Sequence, residues 1–158
     1  VKRRLKNKFK CSIQGSNEIR RYIMQEKSVR DVMTRGVVTA RYNETLPKIA
    51  GIMAEEDISC IVIVDQNDET AGIITSLDIV KAFGEKTEEE IARTTAEGIM
   101  TPLVYNVSPE MTLKEVSNIM LVKDIHRVVV LSAEGRRKPV GLLSATDIVK
   151  EMRRMQEV

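Results

Sequence analysis

Tryptophan is absent from this 158-residue chain, aromatic residues make up 3% of it, and histidine occurs once. The core must be assembled from aliphatic side chains and methionine, and platforms on which nucleic-acid bases could stack are scarce. Two cysteines, Cys11 and Cys60, are too few for a disulfide framework or the common four-ligand zinc site, and both read as free thiols. The single histidine, His126, and the lack of a GxxxxGK loop leave no nucleophile–base pair and no metal constellation. No catalytic residue, metal ligand or catalytic cofactor is assigned, and an enzyme is not expected. Apolar runs such as Cys60–Val64 fall far short of the ~20 residues of a membrane span, and no signal peptide is recognisable. A cytoplasmic protein with no membrane partner is the expectation.

Hydrophobic residues make up 42% of the chain and charged ones 30%, with a net charge of +2. That is the composition of a soluble globular protein, long enough for one ordinary domain or two small ones sharing a core. The imbalance lies at the front, where Lys2, Arg3, Arg4, Lys6, Lys8 and Lys10 precede a remainder that is slightly acidic. Residues 1–15 lack apolar periodicity and begin without methionine, as expected of a trimmed or processed end that is flexible or held by a partner. From Ser16 or Asn17 a capped helix is expected to about Lys27, with Ile19, Tyr22 and Ile23 on one face.

The rest of the chain says the same thing twice. Gly72–Asp78 reads GIITSLD and Gly141–Asp147 reads GLLSATD, each followed by Ile-Val-Lys. Val32-Met33-Thr34 matches Ile99-Met100-Thr101, Thr45-Leu46 matches Thr112-Leu113, and Ile58–Val64 matches Ile125–Leu131, all offset by 67 residues. The glycines are offset by 69, so the second copy has gained two residues in its Ser132–Pro139 turn. Within a copy, Val37–Ala40 suits a strand and Thr45 caps a helix with Leu46, Ile49, Ala50 and Met53 on one face and Pro47 in its first turn. Cys60–Val64 is a continuous apolar run of the kind that forms a buried strand, Ala71–Thr75 a second strand, and Ser76–Phe83 a helix ended by Gly84. The unit is β-α-β-β-α. Charged residues 84–95 read as a solvated helical connector, dividing the chain into a basic segment with its lead-in helix (1–27), a first repeat (28–83), the connector and a second repeat (96–155). Units of about 60 residues bury too little apolar surface to be comfortable alone, so the repeats are expected to pack as a pseudo-twofold pair with equivalent clefts.

The paired β-α-β-β-α units, the openings at Asp31–Thr34 and Gly98–Thr101, the Thr-Leu helix starts and the G-h-h-[ST]-x-x-D signatures resemble a tandem cystathionine-β-synthase (CBS) domain pair, over about Ser28 to Met152. The resemblance implies an α/β (α+β) fold and a regulatory module that binds adenosine-containing ligands: AMP, ADP, ATP or S-adenosylmethionine and its relatives. It also implies a homodimer. In that pattern Asp78 with Thr75, and Asp147 with Ser144, hold ribose, the hydroxyl assisting at ribose or phosphate, and Thr146 is an additional hydroxyl. Tyr105, Asn106 and Val107 would edge one adenine slot and Val38, Thr39 and Ala40 the other. His126 and Arg127 would contact phosphate held at the Asp78 site, a guanidinium fork being suited to it. Their counterparts, Ser59 and Cys60, are neutral, so the Asp147 site is expected to take a less charged ligand or none.

Alternatives stand beside these assignments. Asp78 and Asp147 could be plain helix-start residues, His126 a surface residue, and Met53, Met100 and Met120 core filling. Lys81 and Lys150 could meet an anionic ligand or solvent, and Arg136, Arg137 and Lys138 read as a polar turn. A rival function is a dimerising adaptor whose basic N-terminal segment grips nucleic acid or another protein. The regulated partner is not identified by the sequence.

Overall fold

The computed structural model describes residues 27–103 and 105–154. The basic segment with Cys11, and the helix expected from Ser16, lie outside the described residues up to Lys27. The chain forms α1 (Val29–Val32), β1 (Thr34–Arg35), β2 (Thr39–Arg41), α2 (Leu46–Glu55), β3 (Cys60–Val64), β4 (Thr70–Thr75) and α3 (Ser76–Glu85). There follow α4 (Glu88–Arg93), α5 (Ala96–Ile99), β5 (Thr101–Pro102), α6 (Leu113–Lys123), β6 (Arg127–Leu131), β7 (Pro139–Ser144) and α7 (Ala145–Arg154). Strands β3 and β6 are offset by 67 residues, while β4 and β7, like α3 and α7, are offset by 69. The difference sits in the loop 132–138, two residues longer than its counterpart 65–69, where the sequence placed it.

The described chain gathers into two compact units, one of residues 27–33, 109–128 and 143–154, the other of 34–108 and 129–142. The second is built on a sheet ordered β2-β3-β4-β5, with β2 parallel to β3 and the other neighbours antiparallel. Every residue of β3 is buried because both faces of this sheet are covered. Ile61 and Ile63 turn to the cluster containing Ile49 and Met53 of α2, with Ile79 of α3 packed against it. Cys60, Val62 and Val64 turn the other way, to Ile73, Leu103, Val129 and Leu131. The alternation is the strand's period of two, and it explains a run without a polar residue.

In the other unit α7 packs against α1 and α6. Val29, Val116, Val128 and Leu143 are fully buried, and Leu113 and Met120 nearly so. One charged side chain joins them. Glu151 of α7, 3% exposed, is ion-paired with Lys27 through one oxygen and with Arg154, at 3.2 Å, through the other. The Lys27 bond is the leading cause that holds this carboxyl below the usual carboxylate range. The corresponding residue of α3 is Ala82.

The opening segment of each repeat pairs with the other repeat. Strand β1 runs antiparallel to β7, with Thr34 opposite Leu142 and Arg35 opposite Gly141. Strand β5, opening the second repeat, pairs with β4, with Gly72 opposite Pro102 and Ile73 opposite Thr101. Helix starts are stitched the same way: Leu113 N–H donates to Lys27 O at 2.9 Å and Leu46 N–H to Thr94 O at 2.8 Å. Thr45 occupies the N-cap position without its hydroxyl accepting a helix N–H, contrary to the expected side-chain cap, whereas its counterpart Thr112, bridged to Ser28 as Thr45 is to Thr95, does accept from Glu115 N–H at 3.2 Å. Two further boundaries move. The first strand is Thr39–Arg41 rather than Val37–Ala40, and α3 runs through Gly84 to Glu85, since Gly84 does not take up the left-handed conformation that would end it.

The loop read as a polar turn is a stitch. Thr70, 2% exposed, donates both its N–H and its hydroxyl to Arg137 O at 2.8 Å, and the Arg137 guanidinium donates to Leu103 O at 2.8 Å. Met53 and Met120 are buried core residues, and Met100 packs against the core.

Candidate functional site

Strand β4 hands over to α3 at Thr75, and β7 to α7 at Ser144. At each junction the peptide leaves an extended conformation and the first helical N–H groups are left without intrahelical partners. Ser76 N–H donates to Ser59 O at 3.0 Å, and Ala145 N–H to His126 O at 2.8 Å, so the strand before each hairpin closes one of them. The aspartate three residues on reaches back to the cap residue itself. Thr75 N–H and its hydroxyl donate to the same Asp78 oxygen, Oδ2, at 2.7 and 2.8 Å. Ser144 N–H and its hydroxyl donate to Asp147 Oδ2 at 2.8 and 2.7 Å.

The hydroxyl–carboxylate pair at this spacing is a helix-start device that the chain uses repeatedly. Ser28 with Asp31, Thr87 with Glu90 and Thr112 with Glu115 form the same capping boxes. In those three the hydroxyl and backbone bonds hold the carboxyl below its ordinary range. What separates Asp78 and Asp147 is position: both are half-buried at a strand-to-helix elbow, whereas Asp31, Glu90 and Glu115 are exposed. A carboxylate has about four acceptor sites. Oδ2 uses two of them in each elbow, and Oδ1 receives no donor among the described residues. Each elbow can therefore accept two further hydrogen bonds at one oxygen. Thr75 and Ser144 have committed their hydroxyl protons and present only lone pairs outward.

The glycine of the first signature belongs to packing. A Cβ on Gly72 would stand 2.6 Å from Thr101 O and 3.0 Å from Met100 Sδ, because β5 crosses directly beside it.

The remaining residues singled out from the sequence fall as follows. Cys60 lies opposite Thr75 in the β3–β4 register, and half-buried Tyr105 packs in the cluster that contains Cys60, Val62 and Leu103. Burial, with a smaller contribution from Cys60, holds the Tyr105 phenol above its ordinary value. Thr75, Asp78, Cys60 and Tyr105 are thus neighbours through the strand pair and the cluster. Asn106 is exposed, and Val107 is fully buried in a parallel bridge to Val130. That bridge repeats Ala40 opposite Ile63 in β2 and β3. Thr39 is exposed, Ala40 is buried, and Val38 packs on the α2 side of the sheet. Arg127 is the first, half-buried residue of β6 and Thr146 is exposed on α7. His126 lines a groove of about 320 Å³ between α6 and α7, with Asp124, Ala145 and apolar residues including Met120, Ile148 and Val149. Lys81 and Lys150 are exposed.

Sequence reasoning passed over a set of exposed apolar side chains. Leu77, Val80 and Phe83 on α3 are 74, 63 and 79% exposed. On α6 and α7, Leu121, Val122, Val149 and Met152 are 79, 81, 64 and 56% exposed. The three-residue spacing of Leu77, Val80 and Phe83 was the available signal. Among the described residues no cluster of His, Cys, Asp and Glu could hold a metal ion, and no helix is long and apolar enough to cross a membrane.

Two β-α-β-β-α repeats with exchanged opening strands and twin hydroxyl–aspartate elbows define a tandem-repeat domain architecture. The chain matches the CBS domain over residues 29–85 and 96–154 and belongs to that family. An uncharacterized protein of Methanopyrus kandleri is 35% identical over 130 residues, which are 80% of this chain and 63% of that protein. The chain thus spans less than two thirds of that relative's length. The CBS domain of a CBS domain-containing membrane protein from Sphaerobacter thermophilus matches with a TM-score of 0.74 at 28% identity, covering 89% of this chain and 96% of that one. The CBS domain pair of protein MJ0100, solved in complex with 5′-methylthioadenosine and S-adenosyl-L-methionine, matches with a TM-score of 0.69 at 28% identity, covering 80% of this chain and 99% of that one.

Proposed function

We propose that this chain is a non-enzymatic sensor module of the cytoplasm that binds an adenosine-containing ligand at the Thr75–Asp78 and Ser144–Asp147 elbows. The observation that carries the reading is the committed geometry of these elbows. Each offers an unoccupied carboxylate oxygen with two acceptor sites beside a hydroxyl that can only accept. A ribose 2′,3′-diol supplies two donors and fits; a phosphate group supplies none and does not. The elbows are ribose clips, and any phosphate on the ligand is met by a cation, the role assigned to Arg127 with His126. Tyr105 supplies an aromatic edge next to the first clip. The ligands of the MJ0100 domain pair, both adenosyl compounds with an intact ribose diol, support the class.

Binding shifts the chain toward whichever conformation holds the ligand better, and a regulated partner reads that shift. The exposed apolar helix faces support self-association into a homodimer. Titration calorimetry with 5′-methylthioadenosine and with 2′,3′-dideoxyadenosine tests the diol: the first should bind and the second should lose most of its affinity. Equal affinities would refute the ribose clip.

A further inference from the structure

The loop 132–138 that lengthens the second repeat is folded on itself. Ser132 N–H donates to Lys138 O at 2.8 Å and Lys138 N–H to Arg136 O at 2.7 Å, with Gly135 in the left-handed region at φ 74. The exposed Arg137 of this loop is tied at both ends: its carbonyl accepts from the N–H and hydroxyl of buried Thr70, and its guanidinium donates to Leu103 O, each at 2.8 Å. It takes part in no ion pair among the described residues. What the guanidinium holds is the approach to Tyr105. Leu103 N–H donates to Ala71 O at 3.0 Å, and Val107 O accepts from Leu131 N–H at 2.8 Å. Tyr105 stands midway between these two anchors and packs against the cluster containing Cys60, which lies opposite Thr75. The first repeat has no twin of this device. By the 69-residue offset Arg137 answers to Asp68, which pairs with Arg41 at 2.7 Å, and Thr70 answers to Pro139, which has neither an N–H nor a hydroxyl to donate. By the 67-residue offset Tyr105 answers to Val38.

Taking the Thr75–Asp78 elbow as a ribose clip, on which the inference rests, we propose that Arg137 is a positioning residue for the ligand at that elbow. By fixing Leu103 O it holds Tyr105 against the Cys60 cluster, as a wall beside which the ligand's base lies. A wall that is ordered before the ligand arrives need not be ordered at the expense of binding. Without the guanidinium, that ordering falls on the ligand. The two contacts divide the work: Asp78 reads the ribose diol, and Arg137, acting through Tyr105, sets the affinity for the base. The backbone stitch to Thr70 is separate, because it uses the Arg137 carbonyl and survives a change of side chain.

Titration calorimetry with adenosine and with 2′-deoxyadenosine, which lacks one of the two diol donors, tests it in the full chain carrying Asp147→Asn, where the Thr75–Asp78 elbow is the clip left intact. Arg137→Ala should leave Tm close to that of this parent and weaken both nucleosides by the same factor, about three- to tenfold. Their affinity ratio, which reads the diol, should not move, whereas Asp78→Asn should collapse it. Arg137→Lys, which can still donate to Leu103 O, should recover part of the loss. In a Tyr105→Ala background Arg137→Ala should cost nothing further, because the two residues act as one. Unchanged affinity in Arg137→Ala, or a loss that persists without Tyr105, would overturn the positioning role and leave the clip standing. A ratio that collapses with Arg137→Ala would make the residue a support of the elbow itself and overturn the division of work. A parent that binds neither nucleoside would overturn the role and the clip together.

Discussion

Replacing Asp78 separates two jobs that one carboxylate performs. Its Oδ2 closes the first turn of α3 by accepting from Thr75 N–H and Oγ1, at 2.7 and 2.8 Å. Asp78→Ala removes both bonds, and loss of such a cap costs roughly 0.5–2 kcal/mol. For a chain of this size that lowers Tm by a few degrees, about 2–4 °C per kcal/mol. Asp78→Asn keeps a carbonyl oxygen that can accept from Thr75 N–H and so retains part of the cap. Ligand binding responds differently. Two hydrogen bonds from a ribose diol to a charged oxygen contribute roughly 1.5–3 kcal/mol each, so even one of them lost is a drop of about tenfold to a hundredfold in affinity. The account therefore expects the asparagine variant to sit close to the parent in thermal unfolding and well below it in calorimetric affinity for 5′-methylthioadenosine. A variant that melts early yet binds unchanged would show that Asp78 is a helix cap and nothing more, and the site assignment would fall.

Four further outcomes follow from the structure. Gly72→Ala forces a Cβ against Thr101 O, a backbone atom, and should destabilise by roughly 1–3 kcal/mol in urea unfolding. Gly51→Ala, in mid-helix with open space around it, should stabilise by about 0.5–1 kcal/mol. Glu151 has its folded-state pKa depressed by Lys27, so its contribution to stability is present above the unfolded pKa and is lost as pH falls through the folded one. Exchanging the pair for its counterparts at the other repeat junction, Ala82 and Thr94, as Glu151→Ala with Lys27→Thr, should flatten the acid limb of the stability profile at little cost near neutral pH. Lys27→Thr alone should be the worse variant, since it leaves a buried carboxylate with only Arg154; an unchanged acid limb in the double variant would contradict this. Asp57, at φ 50, sits in the left-handed region directly after α2, and Asp57→Gly should raise Tm slightly.

Local pattern carried the elements that local pattern can carry. The unbroken apolar runs at Cys60–Val64 and Val128–Leu131 lie in strands buried on both faces, and that burial makes them legible. The two-residue insertion was visible because the repeat supplies its own ruler. Long-range pairing was not visible. Nothing in Thr34–Arg35 announces that it will pair with β7, or in Thr101–Pro102 that it will lie against Gly72. The same holds for Arg137, whose sequence context is that of a solvated turn and whose carbonyl nevertheless satisfies buried Thr70. At the elbows, spacing found the aspartates but could not separate them from Asp31, Glu90 and Glu115, which share it. Burial at the strand-to-helix junction makes that distinction. Exposed apolar residues such as Phe83 carry no mark in the sequence, because helical periodicity does not say which side of a helix is left open.

The central claim is that the native chain holds an adenosyl ligand through its ribose. Thermal unfolding of the wild-type chain in saturating 5′-methylthioadenosine, S-adenosylmethionine, AMP, ADP and ATP, each in turn, tests it most directly. A ligand at a hundred times its Kd stabilises the native state by about 2.7 kcal/mol, which is a rise in Tm of roughly 5–10 °C. The account predicts such a rise with at least one of the five, abolished when Asp78 and Asp147 are both replaced by asparagine. An unchanged Tm with all five, or a rise that survives the double replacement, would contradict it.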